Sequence, residues 1–518
     1  MRNIVVVGAG FAGWATALYM KKLFSECNVT VIGSKEIGIL GAGEGTVPSF
    51  KDFIKNIDID PNDLVRNCKA TLKYGIRFDG WDQNGSGSYY NSFKLKNSTN
   101  PEFEKFNFNL NIIDLYCKIN NLDIHEYSFP YSHLKENKVL YKKQKNNVTQ
   151  KFYNSVNHAY HFDANDIAEY LQEIAIARKI QYVDDIVTEF IQNEDGDIVK
   201  IKTKNQEVDA DFVFDCTGFK RLIIGKLYNS KFVSAKDRLL VNRSIPFILP
   251  PKDDIEPYTT ATAMKYGWCW KIPLQHRYGC GYVFNDNLCS IEDAQKEIRE
   301  KFGDVDMPRT ISFEAGYYEE PWIKNCIAVG LSNSFVEPLE ATSIWFSLTA
   351  LTTIINYLPA LINRNQFIID EFNKTHRESN EIIIDNIQFH YLNKRNDTEF
   401  WRTMNSLNKS EKLQKLITVW DNSVSGMLSE EIKIYAQSAV FWDHSWFHIG
   451  LGINFFNNDV LTRTFNTYSK YYCNVLDEID NLKRDVQVEL QTSLTHSEYI
   501  EHLVGEGNFR EIKKSLFK

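Results

Sequence analysis

No two of the nine cysteines, at positions 27, 68, 117, 216, 269, 280, 289, 326 and 473, stand at the CxxC spacing of a zinc site or a redox dithiol. The count is odd and the spacing irregular, so a disulfide framework is set aside in favour of reduced, mostly buried thiols in a cytoplasmic protein. A surplus of positive charge is also missing. With 59 Lys and Arg against 67 Asp and Glu the net charge is −8, which leaves no broad basic surface for nucleic acid or anionic lipid. There is no internal repeat. A secretory signal is not expected either: residues 4–20 carry no charge and follow Arg2, but three glycines fall among them at GxGxxG spacing, and they run into Lys21 and Lys22 without a convincing cleavage site. A buried strand followed by a helix explains that stretch better. No other stretch is read as long and apolar enough to span a bilayer.

What is present is length and aromatic mass. The 518 residues suffice for a large enzyme with a cofactor domain and a substrate region. Trp, Tyr and Phe together make up 14 %, enough to pack a large core and also to stack a planar ligand. Ile4 to Val7 read as a buried parallel strand, and a helical pattern then runs to about Lys22. Asn28 to Ile32 form a second strand that closes a β-α-β unit. Two later apolar runs, Asp211 to Phe214 and Cys326 to Val329, also end in small residues. One sheet assembled from separated segments follows, with its ligand crevice at the strand C-termini. Residues 85–155 read as substrate-side loops and helices. Short alternating strands in 230–320, including Gly279 to Phe284, predict a second, antiparallel sheet. Helical periodicity dominates from about Ile344. The fold class is therefore α/β, Rossmann-like, with an added antiparallel sheet. Its expected division is a cofactor-binding domain over 1–343, with the segments 85–155 and 230–320 inserted, and a mostly helical substrate-capping region over 344–518.

Gly8-Ala9-Gly10-Phe11-Ala12-Gly13 matches GxGxxG after a strand and at the opening of a helix. The first glycine permits the tight turn, the second lets backbone approach a pyrophosphate, and the third packs helix on strand. The motif predicts a dinucleotide but does not separate FAD from NAD. The acidic residue expected about 20 positions on for the ribose is missing. Gly33 and Ser34 stand there, with Glu36 slightly beyond, so either Ser34 or Glu36 takes the role or the ribose is held another way.

Six further segments, in order, resemble the flavin-dependent tryptophan halogenases, relatives of the flavin monooxygenases. Gly41 to Pro48 resembles the flavin-covering GxGExTxP segment, and Thr71 to Phe78 the segment with the catalytic lysine. Asp215 to Phe219 fits the family pattern, and Gly267 to Pro273 reproduces WxWxIP. Val336 to Ser343 resembles the EPLEST-type turn, and Arg395 to Arg402 fits as well. The resemblance runs from residue 4 to about 402. Two positions depart from it: Ser343 stands where the family turn has Gly, and Asn91-Ser92-Phe93 stands where tryptophan-binding members have His-Pro-Phe. The first departure touches halide geometry, the second tryptophan itself as substrate.

The resemblance implies FAD, supplied reduced by a separate flavin reductase, and a halide ion oxidised to hypohalous acid that travels to a separate aromatic site. FAD contacts are assigned to Gly8, Gly10, Phe11, Ala12, Gly13, Ser34, Gly43, Glu44, Thr46, Gly218 and Gly330. Lys73 is the expected catalytic residue, either as an ammonium that hydrogen-bonds the hypohalous acid or as a neutral amine that forms a haloamine, against the plain reading of a solvated lysine beside Arg77. Glu340 is the carboxylate expected to act with it, with Glu337 as competitor. Thr342 and Ser343 match the halide-holding positions, which an ordinary helix cap would also explain. Phe93, Trp268, Trp270, Trp442 and Trp446 are assigned to the substrate site and passage, though a core role explains the tryptophans equally. His444 and His448 lie one helical turn apart, but with no third ligand evident no metal is expected. A small aromatic molecule, indole- or phenol-like, is the expected substrate. No nucleic acid or membrane partner is expected, and a homo-oligomer is left open. The competing readings are a flavin hydroxylase of the same fold and a non-catalytic flavoprotein.

Overall fold

Four consecutive apolar residues, Ile4 to Val7, suit a strand covered on both faces. In the computed structural model they lie in the strand Asn3–Val7, with all four side chains buried. The structure describes residues 1–38, 41, 43–93, 113–144, 147–150, 158–422, 424, 441, 443–468, 479–505 and 507–509. The chain divides into two units: Met1–Ala70 with Phe162–Lys236 and Phe313–Ile383, and Thr71–His161 with Asp237–Ser312 and Ile384–Lys518.

The first unit is built on a six-stranded sheet. Its order is Gln181–Asp184, Asn28–Gly33, Asn3–Val7, Phe212–Asp215, Cys326–Ala328, Trp322–Ile323. The first five strands are parallel, and only the last edge pairing is antiparallel. The three apolar runs that end in small residues are thus neighbours, as the sequence predicts. The fold is Rossmann-like, and helix Phe11–Leu23 follows the first strand. That helix is buried along Gly13 to Met20 and carries Lys21 and Lys22 in its last turn, where the helix dipole favours cations. Asp215, fully buried at the end of its strand, ties down the following turn. One carboxylate oxygen accepts from the Thr217 amide (3.0 Å) and hydroxyl (2.7 Å), the other from the amides of Ile223 (2.9 Å) and Ile224 (3.0 Å).

Residues 344–383, grouped by sequence with the helical C-terminal region, belong to this first unit. Helix Thr342–Thr353 packs on Phe11–Leu23 and on Ser49–Asn56, which explains the grouping. The expectation about bilayer-spanning stretches needs correction here. Thr342–Asn363 has the length and apolarity to cross a membrane, although it is interrupted by a 3₁₀ turn at Ile354–Tyr357 and restarts at Leu358–Asn363. Its apolarity reflects a helix that opens the core of the unit, with Ile355 and Ile362 left exposed further along.

The second unit carries the expected second sheet, seven-stranded. Its order is Ile311–Ser312, Arg243–Leu249, Tyr278–Phe284, Gly267–Pro273, Tyr258–Ala263, Gly75–Asp79, Ser88–Ser92. It departs from pure antiparallel pairing in one place, where Tyr258–Ala263 runs parallel to Gly75–Asp79. Beside it the short strand Thr71–Lys73 pairs antiparallel with Ala159–Phe162. The named elements after 384 are helices joined by turns, including Glu399–Ser406, Glu411–Trp420, Asp443–Gly452 and His496–Val504. Trp81, Tyr391 and Trp401 form a tight aromatic core. The indole N–H groups of Trp81 and Trp401 donate to the carbonyls of Ala261 (3.1 Å) and Met264 (3.0 Å), so the rings are buried without leaving a donor unmet.

Replacing Asp215 by Ala strands four buried or half-buried donors. It is expected to cost about 3 kcal/mol of stability, read as an earlier urea transition of the first unit. An unshifted transition would show that the carboxylate does not hold the turn.

Candidate active site

At the C-terminal edge of the six-stranded sheet the strand ends are stitched together by backbone. Gly8 N–H donates to Ile32 (2.7 Å), Cys216 N–H to Val7 (2.8 Å), and Val329 N–H to Asp215 (2.9 Å). Gly8 has φ +121°, and a Cβ there would lie 2.1 Å from the Cys216 carbonyl oxygen. Gly10, which caps helix Phe11–Leu23, would meet nothing within 4 Å, and no acidic residue occupies the first turn. Space above a helix N-terminus with bare amides is what a pyrophosphate needs. Phe11 packs against Phe50 and Phe162, and Ala12 lies against Gly330. Gly218 follows Thr217 in the turn held by Asp215. Ser34 directly follows the second strand, which ends at Gly33, and its hydroxyl accepts the Glu36 amide at 3.3 Å, while the exposed Glu36 carboxylate pairs with Lys204 at 3.6 Å. The ribose role therefore suits Ser34 better than Glu36.

Gly43, Glu44 and the buried Thr46 follow in the segment Gly41 to Pro48, of which Ala42 lies outside the described residues. The Glu44 carboxyl is pushed up to about 7, first by burial and then by the charge of Asp163, which caps helix Ala164–Ala177.

The turn Val336 to Ser343 leads into helix Thr342–Thr353. Glu337 is fully buried and Glu340 nearly so, at 6 % exposure. Ala341 holds φ +56°, ψ +34°, a left-handed conformation that a non-glycine residue adopts only under constraint. As the first residues of the helix, Thr342 and Ser343 have amides with no intrahelical acceptor. Their side-chain oxygens, Oγ1 and Oγ, are buried and meet no hydrogen-bond partner among the described residues. The first turn carries no acidic residue. Unused amides, two unmatched hydroxyls and the positive end of a helix dipole together suit a small anion.

In the second unit Lys73 ends the strand Thr71–Lys73 and is 1 % exposed, so the solvated-lysine reading does not describe it. Its ammonium lies 5.5 Å from the centre of the Phe93 ring. Phe93 is fixed by its amide donating to the Tyr74 carbonyl at 2.9 Å. Opposite Thr71, on the neighbouring strand Ala159–Phe162, lies His161. Thr71 donates its hydroxyl proton to the Pro273 carbonyl (2.6 Å), so its oxygen accepts from His161 Nδ1–H (3.1 Å), and His161 Nε2 accepts from Thr259 (2.9 Å). Burial, then the charge of Lys73, then His496 hold His161 well below the usual imidazole range. A neutral imidazole is thereby locked beside the ammonium.

Trp268 and Trp270 project from the same face of strand Gly267–Pro273, with ring centres 6.4 Å apart. Trp268 is fully buried beside Trp81, whereas Trp270 is half-buried, sits across from Gly281 and leaves its N–H without a partner among the described residues. Trp446 is fully buried and packs on Phe389 and Trp420, the core role. Trp442 and the side chain of His444 lie outside the described residues. His448 is engaged by the Asp114 carboxylate and the Tyr131 hydroxyl. That buried triad escapes sequence reading because its members stand 317 and 334 residues apart. Asn91, at the position of the family's histidine, donates its amide to Ser445 at 3.1 Å.

Residues 3–465 match the family model for tryptophan halogenase. The chain is 29 % identical to the tryptophan 7-halogenase RebH of Lentzea aerocolonigenes, over 87 % of this chain and 89 % of that one. It is 31 % identical to the tryptophan 7-halogenase KtzQ of a Kutzneria species, over 79 % of each. Among solved structures, the tryptophan halogenase of Shewanella frigidimarina superposes with a TM-score of 0.83 at 26 % identity, covering 97 % of this chain and 98 % of its own. BrvH, a flavin-dependent halogenase from a Brevundimonas species, superposes with a TM-score of 0.80 at 26 % identity, covering 97 % and 99 %.

Because folding raises the Glu44 pKa above its ordinary 4.5, its stabilising effect is complete below that value and is lost as pH rises through about 7. Glu44→Gln, which keeps the neutral form at all pH, is expected to flatten the fall in melting temperature across that window and to leave the variant more stable than wild type at pH 8. Equal slopes for the two proteins would show that Glu44 does not titrate there.

Proposed function

We infer the reaction from one premise: the chain belongs to the tryptophan halogenase family, a family of flavin-dependent enzymes. As a member it is a flavin-dependent halogenase, an oxidoreductase acting on aromatic molecules. The open ground above Gly10 and the bare first turn of helix Phe11–Leu23 fit the pyrophosphate of FAD, with Gly8, Phe11, Ala12, Gly13, Gly218 and Gly330 shaping the crevice and Ser34 suited to the ribose. The finer reading is halogenation of an electron-rich indole- or phenol-like small molecule through hypohalous acid confined by the protein.

The observation that carries this reading is Lys73, an ammonium out of water with an aromatic ring at 5.5 Å and a proton-locked neutral histidine behind it. When bound in its reduced form, FAD supplies with dioxygen the oxidant that converts halide to hypohalous acid. Thr342 and Ser343 hold the halide through amides and hydroxyls. The Lys73 ammonium donates a hydrogen bond to the hypohalous oxygen and polarises the halogen toward the ring. Glu340 takes the proton lost as the ring regains aromaticity. Phe93 contributes a face for the substrate, and Trp270, with Trp268 beneath it, lines the approach and keeps water out. A separate flavin reductase delivers the reduced cofactor, since no second nucleotide fingerprint is evident in the sequence.

The test supplies purified protein with FAD, NADH, a flavin reductase and a panel of tryptophan, indoles and phenols, with chloride, bromide and iodide in separate reactions. A halogen mass shift that falls at least about 100-fold in Lys73→Ala is expected. An oxygen mass shift would make it a hydroxylase, and halogenation surviving in Lys73→Ala would remove the lysine from the chemistry. If Lys73 and Glu340 act as a unit, the double variant Lys73→Ala/Glu340→Gln is no slower than the worse single one.

A further inference from the structure

His496 lies 31 residues beyond the span that matches the family, which ends at 465. It is nevertheless fully buried, at the first position of helix His496–Val504. Its Nε2 accepts the backbone N–H of Leu72 at 2.9 Å, and its Nδ1 stands 3.2 Å from the carbonyl of Ile255. A carbonyl only accepts, so the proton sits on Nδ1 and the lone pair on Nε2 faces Leu72. One neutral tautomer satisfies both contacts. Burial, which pushes the imidazole down to about 4, keeps it neutral.

The bond matters because of where Leu72 is. Thr71–Lys73 is three residues long and is an edge strand, paired on one side with Ala159–Phe162. A strand this short has few ladder bonds to set its register, and a one-residue slip would turn Lys73 to the opposite face. Its free side is held by three contacts of other kinds: Thr71 hydroxyl to Pro273, Tyr74 amide to Pro257 (2.8 Å), and between them Leu72 amide to His496. The histidine itself is firmly placed. Val139 N–H donates to Leu494 (3.0 Å), Leu494 N–H to Tyr141 (2.9 Å) and His496 N–H to Asn137 (2.9 Å). Thr495 and Glu498 form a capping box, Ser497 donates to Asp253 at 2.8 Å, and Tyr499 stacks on Tyr141 at 4.1 Å.

We propose that His496 is a positioning residue for Lys73: the C-terminal segment, through this imidazole, fixes the edge strand that presents the ammonium. The inference rests on the reading of Lys73 as the catalytic ammonium. It predicts opposite behaviour for two conservative replacements. Glutamine reaches as far as Nε2 and its carbonyl can accept the Leu72 amide. Asparagine reaches only as far as Nδ1, so it retains a donor for Ile255 and loses Leu72.

The experiment compares His496→Gln and His496→Asn with wild type and Lys73→Ala. It measures kcat and KM on whichever of indole, phenol and tryptophan the wild type brominates fastest. FAD binding, melting temperature and hydrogen exchange of the peptide containing Leu72 are followed in parallel. His496→Asn is expected to lose at least about tenfold in kcat with KM and FAD binding unchanged and the Leu72 amide exchanging faster, while His496→Gln stays within about threefold of wild type. Equal kcat in the two variants would overturn the proposal. So would a joint collapse of melting temperature, FAD binding and kcat in both, which would make His496 a folding anchor only. Full activity in Lys73→Ala would instead bring down the underlying reading of the lysine, an outcome separate from any behaviour of His496.

Discussion

The crevice of the first unit depends on the absence of a side chain at Gly8. A Cβ there would sit 2.1 Å from the Cys216 carbonyl oxygen, so any other residue would force apart the ends of strands Asn3–Val7 and Phe212–Asp215. Its φ of +121° is also one that other residues rarely adopt. With the strand ends held close, the turn that opens helix Phe11–Leu23 and the turn after Asp215 lie side by side at the carboxyl edge of the sheet, where α/β folds bind their ligands. Asp215 completes the arrangement by giving the second turn a fixed set of acceptors, so both walls are set by backbone and one buried carboxylate.

The two units solve opposite electrostatic problems. The first offers helix N-termini without acidic residues, at Gly10 and at Thr342, which attract anionic groups by partial charge alone. The second must keep a lysine out of water. Burying an ammonium is costly unless its surroundings are polar and add no further positive charge. His161, which senses the charge of Lys73, is held neutral first by burial while its hydrogen bonds assign the proton to Nδ1, and His496, on the amide of Leu72, is held the same way. Burial sets the charge of both rings, and hydrogen bonding sets their tautomer and geometry. That is the condition for a buried cation to act as a directed donor.

Local patterns make much of this fold legible in the sequence. The glycine fingerprint, the apolar runs ending in small residues and the alternating aromatics of Gly267 to Pro273 are short-range signals, and each forms the element it predicts. What stays hidden depends on long-range partners. Nothing around His496 in sequence tells it from a surface histidine, because its partner is an amide 424 positions away. The parallel pairing of Gly75–Asp79 with Tyr258–Ala263 is a register between distant strands and leaves no trace in either. Trp446 carries the same aromatic signal whether it lines a pocket or fills a core, and only its packing on Phe389 and Trp420 decides. The apolar run from Thr342 to Asn363 does not stand out as a possible bilayer span, because its helical pattern is equally that of a core helix.

The departures from the family pattern fall where the structure can absorb them. Asn91, in place of histidine, spends its amide on Ser445 and so ties strand Ser88–Ser92 to helix Asp443–Gly452, while Phe93, two residues on, keeps its ring by Lys73. Ser343, in place of glycine, adds a buried hydroxyl to a helix start whose backbone direction is already set by Ala341. The edge strand that carries Lys73 is held by its ladder, by the Thr71 hydroxyl and by His496, and the turn before Thr342 by the left-handed backbone at Ala341. Neither departure lies among those contacts: the Ser343 hydroxyl meets no hydrogen-bond partner among the described residues, and the Asn91 amide bonds Ser445. The contacts that place Lys73 and the start of helix Thr342–Thr353 are therefore separate from the two side chains that depart from the family pattern, so a change at either position leaves that framework in place.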